Sequence, residues 1–424
     1  MRIAKSVEGC LAATVILVGW AGLAHAAESP AVSSPDAEEI FPDPASPDPP
    51  PPAETPKPVS YVEGRGVVFR TPDNLFEASL GFNLQVRYSH IDLDAVANGI
   101  DADQFRVRRF KLFLSGFAFD PRLTWRFQAA FENTAADRIL DDAWLNWKFS
   151  DAASVQFGQY KTPFARQELY NDGVLQFPER SFATDAFKPS RDIGVMAAGS
   201  FLGNRLAYQG GVFGGDGQNT LRATDHVMPV LRLLWNVVGT MGASEADVQG
   251  HDDLALSVGT DGFLNTLKKT GPTAFEALIL NYAGPAGWLG RNVELFQEGE
   301  DVDVKSWEFE AQLKWRGLSV QAEYFRGQAE GDTSGVRLYT YGWYGQAGFF
   351  ILPHKLDIAA RYSYVDFNRN VARDVVAVVD AATTWYFRSN DLKLVLDYSR
   401  THRQRATGVP ANDQAVIVQV QLMP

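Results

Sequence analysis

Basic side chains recur through the segment 87–126, at Arg87, Arg106, Arg108, Lys111 and Arg126, and the series continues with Lys148, Lys161, Arg166 and Arg232. A guanidinium offers a planar fork of donors that matches an oxyanion two bonds at a time, and an ammonium acts as a compact point charge. A track of such groups around water is suited to replacing the hydration of an anion. Bond-making chemistry has no comparable constellation. The histidines beyond the N-terminal region are His90, His226, His251, His354 and His402, and none forms an H-E-x-x-H or related spacing. No G-x-S-x-G, P-loop or dinucleotide fingerprint opens a helix, and the single cysteine is Cys10. Neither a thiolate nucleophile nor a Cys-ligated metal is available, so neither enzymatic activity nor a cofactor is expected. The 424 residues carry 39 Lys+Arg against 51 Asp+Glu, a formal net charge of −12. That balance excludes nucleic acid as a partner, which would need a basic surface.

The elements that must position these side chains begin after two unusual segments. Arg2 and Lys5 precede an apolar run from Leu11 to Leu23, and Ala24-His25-Ala26 forms an A-x-A cleavage pattern. Residues 1–26 are therefore expected to be a signal peptide that exports the protein. The segment 27–60 holds eleven prolines, and seven acidic residues stand against Lys57 alone. It cannot bury enough apolar surface to offset its ordering entropy, and reads as a disordered acidic spacer with possible cell-wall contact. Residues 61–424 carry a formal charge near −7 once these two segments are set aside.

From Leu75 onward, apolar and polar residues alternate with period two. Leu80, Phe82, Leu84, Val86 and Tyr88 share one face, and Asn83, Gln85, Arg87 and Ser89 the other. Trp125 and Phe127 alternate with Arg126 and Gln128. Trp307, Phe309 and Trp315 alternate with Glu308, Glu310 and Lys314. The phase switches between Val107 and Phe110, which predicts a β-bulge near Arg108-Arg109. Both a soluble sandwich and a transmembrane barrel produce alternation. Strands of ten residues or more exceed the length usual in sandwiches. Aromatics cluster at strand ends, as at Trp144/Trp147/Phe149 and Trp385/Tyr386/Phe387, in the manner of an interfacial girdle. Short turns at Asp120-Pro121, Gly317 and 389–391 alternate with long loops at 92–103, 162–190, 216–227, 261–302, 328–336 and 403–412. The fold predicted is all-β, a transmembrane antiparallel β-barrel of about 16 strands with both termini on one side. The link Met241–Asp252 is the one short-side turn that comes out long.

The stretch Asp142–Trp147, then Val155–Phe164, Phe177-Pro178-Glu179-Arg180-Ser181 and Arg191–Val195, resembles the phosphate-selective porin O/P family. Phe105–Arg109 and Gly345–Phe349 agree with it. The resemblance implies a 16-stranded homotrimeric porin in a Gram-negative outer membrane, in contact with its lipid, with loops folded into the lumen. It also implies basic side chains guiding small anions, phosphate or polyphosphate first. Placing the polar face of each strand toward the lumen gives a basic wall and an opposed acidic wall. Arg87, Arg106, Arg108, Lys111, Arg126, Lys148 and Arg232 stand against Glu132 and Asp142 on the first. Glu308, Glu310, Glu323, Asp357, Asp380 and Asp397 dominate the second, with Lys314, Arg361 and Lys393 among them. The loop 163–190 carries Arg166, Glu168, Arg180, Asp185 and Lys188, and follows the fifth strand. Lys161 at its root is the best single candidate for a constriction cation. A weakly selective general diffusion porin, and a structural barrel tethered by its Pro-rich arm, are the alternatives.

Overall fold

The computed structural model describes residues 58–62, 65–94, 102–131, 139–220, 226–271, 274–275, 287–405 and 409–423. The expected signal peptide and all but the end of the Pro-rich segment lie outside these residues, as does Glu132. A hairpin of β1 (Val59–Val62) and β2 (Gly66–Arg70) precedes β3 (Phe76–Asp92), β4 (Ala102–Ala118), β5 (Asp120–Ala130), β6 (Leu140–Ser150) and β7 (Ala153–Lys161). The segment 162–190 holds two short helices, α1 (Arg166–Leu169) and α2 (Phe182–Phe187). Then follow β8 (Arg191–Phe201), β9 (Leu206–Phe213), β10 (Met228–Val238), β11 (Ala255–Gly271) and the two-residue β12 (Ala274–Phe275). The last seven are β13 (Asp301–Trp315), β14 (Leu318–Gly331), β15 (Arg337–Leu352), β16 (Leu356–Asp366), β17 (Val375–Arg388), β18 (Leu392–Gln404) and β19 (Ala411–Leu422). All neighbours are antiparallel. Strand β13 pairs with β11 along its length, and β19 returns to pair with the upper part of β3. This closes a barrel of 16 strands, with β2 paired to the lower part of β3.

Alternation decides which face meets lipid. Trp307 and Phe309 are 44% and 50% exposed on the outer wall, whereas Glu308 and Glu310 between them are 0% exposed. Val86 and Leu80 face outward, and Arg87, Gln85 and Asn83 face inward. The short connections are as tight as the sequence implies. Phe119, with φ 65°, is the sole link between β4 and β5, and Gly317, with φ 86°, turns β13 into β14. Long loops leave the other end, which assigns it to the extracellular side.

Three features depart from the sequence expectation. First, β11 runs on to Gly271, where a loop from Asp261 was expected; Asp261 pairs in register with Glu308 inside the wall. Second, the inward face is not polar throughout. In the upper part of β11 to β17, Phe263, Leu267, Val302, Phe325 and Leu338 point inward and are buried. They meet Phe164 and Phe187 from the loop after β7, and Trp288 and Leu289 from the segment before β13. Phe187 stacks on Phe325 at 5.2 Å and on Trp288 at 6.1 Å. A dry core thus fills part of the upper lumen. Third, the link 239–254 is no solvent-exposed turn: Glu245, Ala246 and Asp247 are buried.

Candidate functional site

The segment 162–190 folds inward because its apolar and polar residues find partners on different parts of the wall. Ser181 caps α2 by accepting from Thr184 N at 3.0 Å, and Gln167 Oε1 accepts from Ser181 N and Thr184 Oγ1. Phe164 and Phe187 enter the dry core. Arg166 pairs with Glu310 at 2.8 Å, Gln167 N donates to Glu323 Oε1 at 2.7 Å, and Gln176 Nε2 donates to Asp357 at 2.8 Å. At the far side Glu179 accepts from Arg87 at 2.6 Å, Arg108 at 2.6 Å and Arg109 at 2.7 Å. Burial pushes the Glu179 carboxyl up, but Arg109, Arg108 and Arg87 outweigh it and hold the group well below the usual carboxylate range. Burial likewise raises Asp172, and Lys111, Arg180 and Arg109 bring it well below that range.

From the periplasmic end the link 239–254 rises to meet this loop. Glu245 Oε1 accepts from Gln167 Nε2 and Glu245 Oε2 from Gln176 N, both at 2.7 Å. Lys314 Nζ donates to Met241 O at 2.7 Å and Ser244 O at 2.5 Å. The unusual length of this link is what lets it reach inside. Together the two segments cover the wall that was expected to be acidic and open. Glu308, Glu310, Glu323 and Asp357 do face inward, but each is buried beneath them. Asp380 is buried against Arg361 at 2.8 Å. The expectation of a basic wall facing an acidic wall across the lumen is therefore corrected: the late carboxylates are sealed off rather than exposed to permeating solute.

The open space lies along the other wall. An upper chamber of about 220 Å³ is lined by Arg108, Arg109, Asp141, Glu168, Arg180 and Lys188, among others. A middle chamber of about 230 Å³ is lined by Asn83, Phe113, Arg126, Gln128, Asp142 and Asn171. Both share Lys111, Lys161, Asp172 and Arg191, which form the neck between them. The middle chamber shares Leu169 and Asn171 with a lower one of about 700 Å³, where Arg166 and Arg232 stand beside Asn236 and Thr240. Around the upper two chambers eight cationic side chains face four carboxylates.

Two bulges concentrate this charge. Gln85 pairs with Arg109 and Val86 with Val107, leaving Arg108 as the extra residue, so Arg108 and Arg109 both turn to the lumen and both reach Glu179. Gln128 pairs with Asp142 and Ala129 with Leu140, leaving Asp141 extra, so both aspartates point inward. Arg191 then pairs with Asp142 at 2.7 Å and Lys111 with Asp141 at 3.2 Å.

Of the nine residues singled out in the sequence, Arg108, Lys111, Arg126, Lys161, Arg166 and Arg232 line the chambers. Lys161 Nζ donates to Glu168 O at 2.5 Å and Tyr170 O at 2.8 Å, although strand parity alone would send it toward lipid. Arg87 is 2% exposed and sits behind Glu179, also held by Gln419. Arg106 pairs in register with Arg87 but is exposed near the extracellular end. Lys148 is exposed at the periplasmic turn, paired with Asp151 at 2.6 Å, and lines none of the three chambers. Sequence reasoning missed Arg109 and Arg191 as lining residues. The predicted bulge was the signal for the first, since a bulge suspends alternation; the second lies at a strand start, where parity has no force.

The family model described as phosphate-selective porin O and P matches residues 79–230 and 280–423. Porin O of Pseudomonas aeruginosa is 28% identical over 123 residues, 28% of this chain and 27% of that relative, so the match spans about a quarter of the relative's length. An anion-selective porin from Comamonas acidovorans superposes with a TM-score of 0.57 at 9% identity, covering 82% of this chain and 100% of its own. The trimer form of OmpT, an outer membrane protein of Vibrio cholerae, gives 0.52 at 12% identity, covering 81% and 99%. At these identities the two structures establish the fold. With the family model matched across most of its length, this chain belongs to the phosphate-selective porin O and P family, and is an outer-membrane porin.

Proposed function

We propose that the porin passes small anions, phosphate or polyphosphate among them, through the three linked chambers. The observation that carries the reading is the excess of eight cations over four carboxylates around the upper chambers, with Lys111, Lys161 and Arg191 at the shared neck. Donors in a fixed array can replace anion hydration without a single deep site, which conduction requires. The family's description supports the same class of solute. A homotrimer set in outer-membrane lipid, exported through a leader at 1–26, completes the proposal. The acidic spacer at 27–60 is a candidate for cell-wall contact. The runner-up, a weakly selective diffusion pore, draws on the four carboxylates of the passage.

Reversal potentials across a planar bilayer in a KCl gradient test the reading. Anion preference, with chloride conductance inhibited by millimolar phosphate, is expected. Cation preference rejects it. Anion preference without phosphate inhibition leaves general anion conduction and removes the phosphate site.

A further inference from the structure

Beneath the inward loop, behind Arg166 and Arg232 of the lower chamber, Asp261 on β11 stands directly across from Glu308 on β13, and Glu310 directly across from Glu323 on β14. All four side chains are buried on the lumen face, between 0% and 4% exposed. Like charges facing each other across a ladder oppose pairing, and a buried charge needs a partner. Some partners are present. Arg232 reaches Asp261 Oδ2 at 2.5 Å and Glu310 Oε1 at 2.6 Å, and Arg166 reaches Glu310 Oε1 at 2.8 Å. Ala165 N donates to Asp261 Oδ2, and Gln167 N and Tyr344 Oη donate to Glu323 Oε1.

Each of these donors takes the same oxygen of its carboxylate. Asp261 Oδ1, Glu310 Oε2, Glu323 Oε2 and both oxygens of Glu308 have no hydrogen-bond partner among the described residues. Glu308 is thus wholly unpartnered at 0% exposure, within the group. Glycine at position 259 makes room for this arrangement, because a Cβ there would meet Glu310 Oε1 at 2.6 Å. One oxygen from each of Asp261, Glu308 and Glu310 lies within 4.8 Å of the others. Two ligands each about 2.4 Å from a common Ca2+ are at most about 4.8 Å apart, so the spacing is within the reach of that ion. Four carboxylates against two guanidiniums also leave two negative charges, the deficit that one divalent cation closes.

We propose that Asp261, Glu308, Glu310 and Glu323 hold a hard divalent cation, with Ca2+ the best match. Bound there, the ion joins β11, β13 and β14 at the point where Ala165 and Gln167 fasten the root of the inward loop. It fixes the side of the loop opposite the upper two chambers, and does not depend on which solute the passage carries.

The test uses the full-length mature porin, refolded in detergent free of lipopolysaccharide so that surface lipid contributes no calcium sites. After chelation, the protein is dialysed against about 1 mM CaCl2, the range of weaker extracellular calcium sites, and its metal content is measured. One Ca2+ per chain is expected, lost in Glu308→Gln and in Asp261→Asn when heat-modifiability shows the variants folded. On the unaltered protein, Tb3+ is expected to show aromatic-sensitised emission, Tyr344 lying beside Glu323, and Ca2+ to displace it. A folded wild type that binds neither ion overturns the proposal and leaves shared protons to hold the cluster. Equal calcium content in wild type and folded variants also overturns it.

Discussion

Arg126 offers the cleanest perturbation of the passage. Its guanidinium lies on the wall, 3.3 Å from Asp142 and 2.7 Å from Gln128 Oε1, and lines the middle chamber. None of these contacts is to the inward loop, unlike those of Lys111 to Asp172 or Lys161 to the carbonyls of Glu168 and Tyr170. Arg126→Gln therefore removes one positive charge while leaving the loop's anchors in place. For a monovalent anion passing about 5 Å away, that charge contributes about 0.8 kcal/mol at the dielectric of water, and about 3 kcal/mol at an effective value of 20. The smaller figure sets a floor of about fourfold on the loss of anion occupancy in the chamber. Reversal potentials in a KCl gradient at about 0.1 M should shift toward cation permeability accordingly, and the shift should shrink at about 1 M, where the Debye length falls to about 3 Å. Lys148→Gln is the control, since that ammonium stands exposed at the periplasmic turn. An unchanged ratio for Arg126→Gln, or an equal shift for Lys148→Gln, would refute the assignment of the passage to this wall.

Other consequences of the geometry are open to direct measurement. Phe187→Ala, which empties a fully buried aromatic site between Trp288 and Phe325, should destabilise the folded barrel by about 3–5 kcal/mol in denaturant titrations; a loss under about 1 kcal/mol would mean that the dry core does not hold the loop. The depressed carboxyls of Glu179 and Asp172 stabilise the folded loop above their unfolded values of about 4 and lose that contribution only as pH falls through their lower folded values. Loop-opening noise in single-channel records should accordingly appear below about pH 4, and quiet records down to about pH 3 would contradict these anchors. Glu245→Ala removes two 2.7 Å bonds that join the periplasmic link to the loop. It should raise conductance by loosening the covered side of the lumen, and an unaltered conductance in a folded variant would show that this contact does not limit the pore.

Period-two alternation made the strand number, the outward aromatics and the bulge at Arg108 legible from residue types alone, because each strand lies between two contrasting environments. It could not show what fills the inside. An inward Phe325 beside an outward Tyr324 breaks the polar-in pattern, and the reason lies far away in the chain, in Phe187 and Trp288. Asp261 followed by glycine resembled a turn, yet the residue pairs across a strand whose inward face then turns apolar at Phe263. The excess length of the link 239–254 was visible, but its destination depended on Glu245 finding Gln167 and the backbone of Gln176. Parity likewise misplaced Lys161 and overlooked Arg191, because both stand where a strand meets the loop 162–190 and alternation no longer decides the face.

The four carboxylates in the passage do not argue for an indifferent pore, because none of them stands alone. Asp172 is shared by Lys111, Arg109 and Arg180; Glu168 by Arg180 and Lys188; Asp142 by Arg191 and Arg126; and Asp141 by Lys111 and Arg191. Each negative group is thus outnumbered at its own site and holds two or more long cationic side chains in fixed positions. Without such bridges, eight neighbouring cations would repel one another, and each would cost rotamer entropy when it closed on a passing anion. With them, the positive excess is set out in advance as an array of partly engaged donors. A solute can exchange one partner for the next along such an array. It is attracted at every step, and because most of the donors keep a carboxylate in contact and Lys161 keeps two backbone carbonyls, no single step holds it as tightly as a bare cluster would.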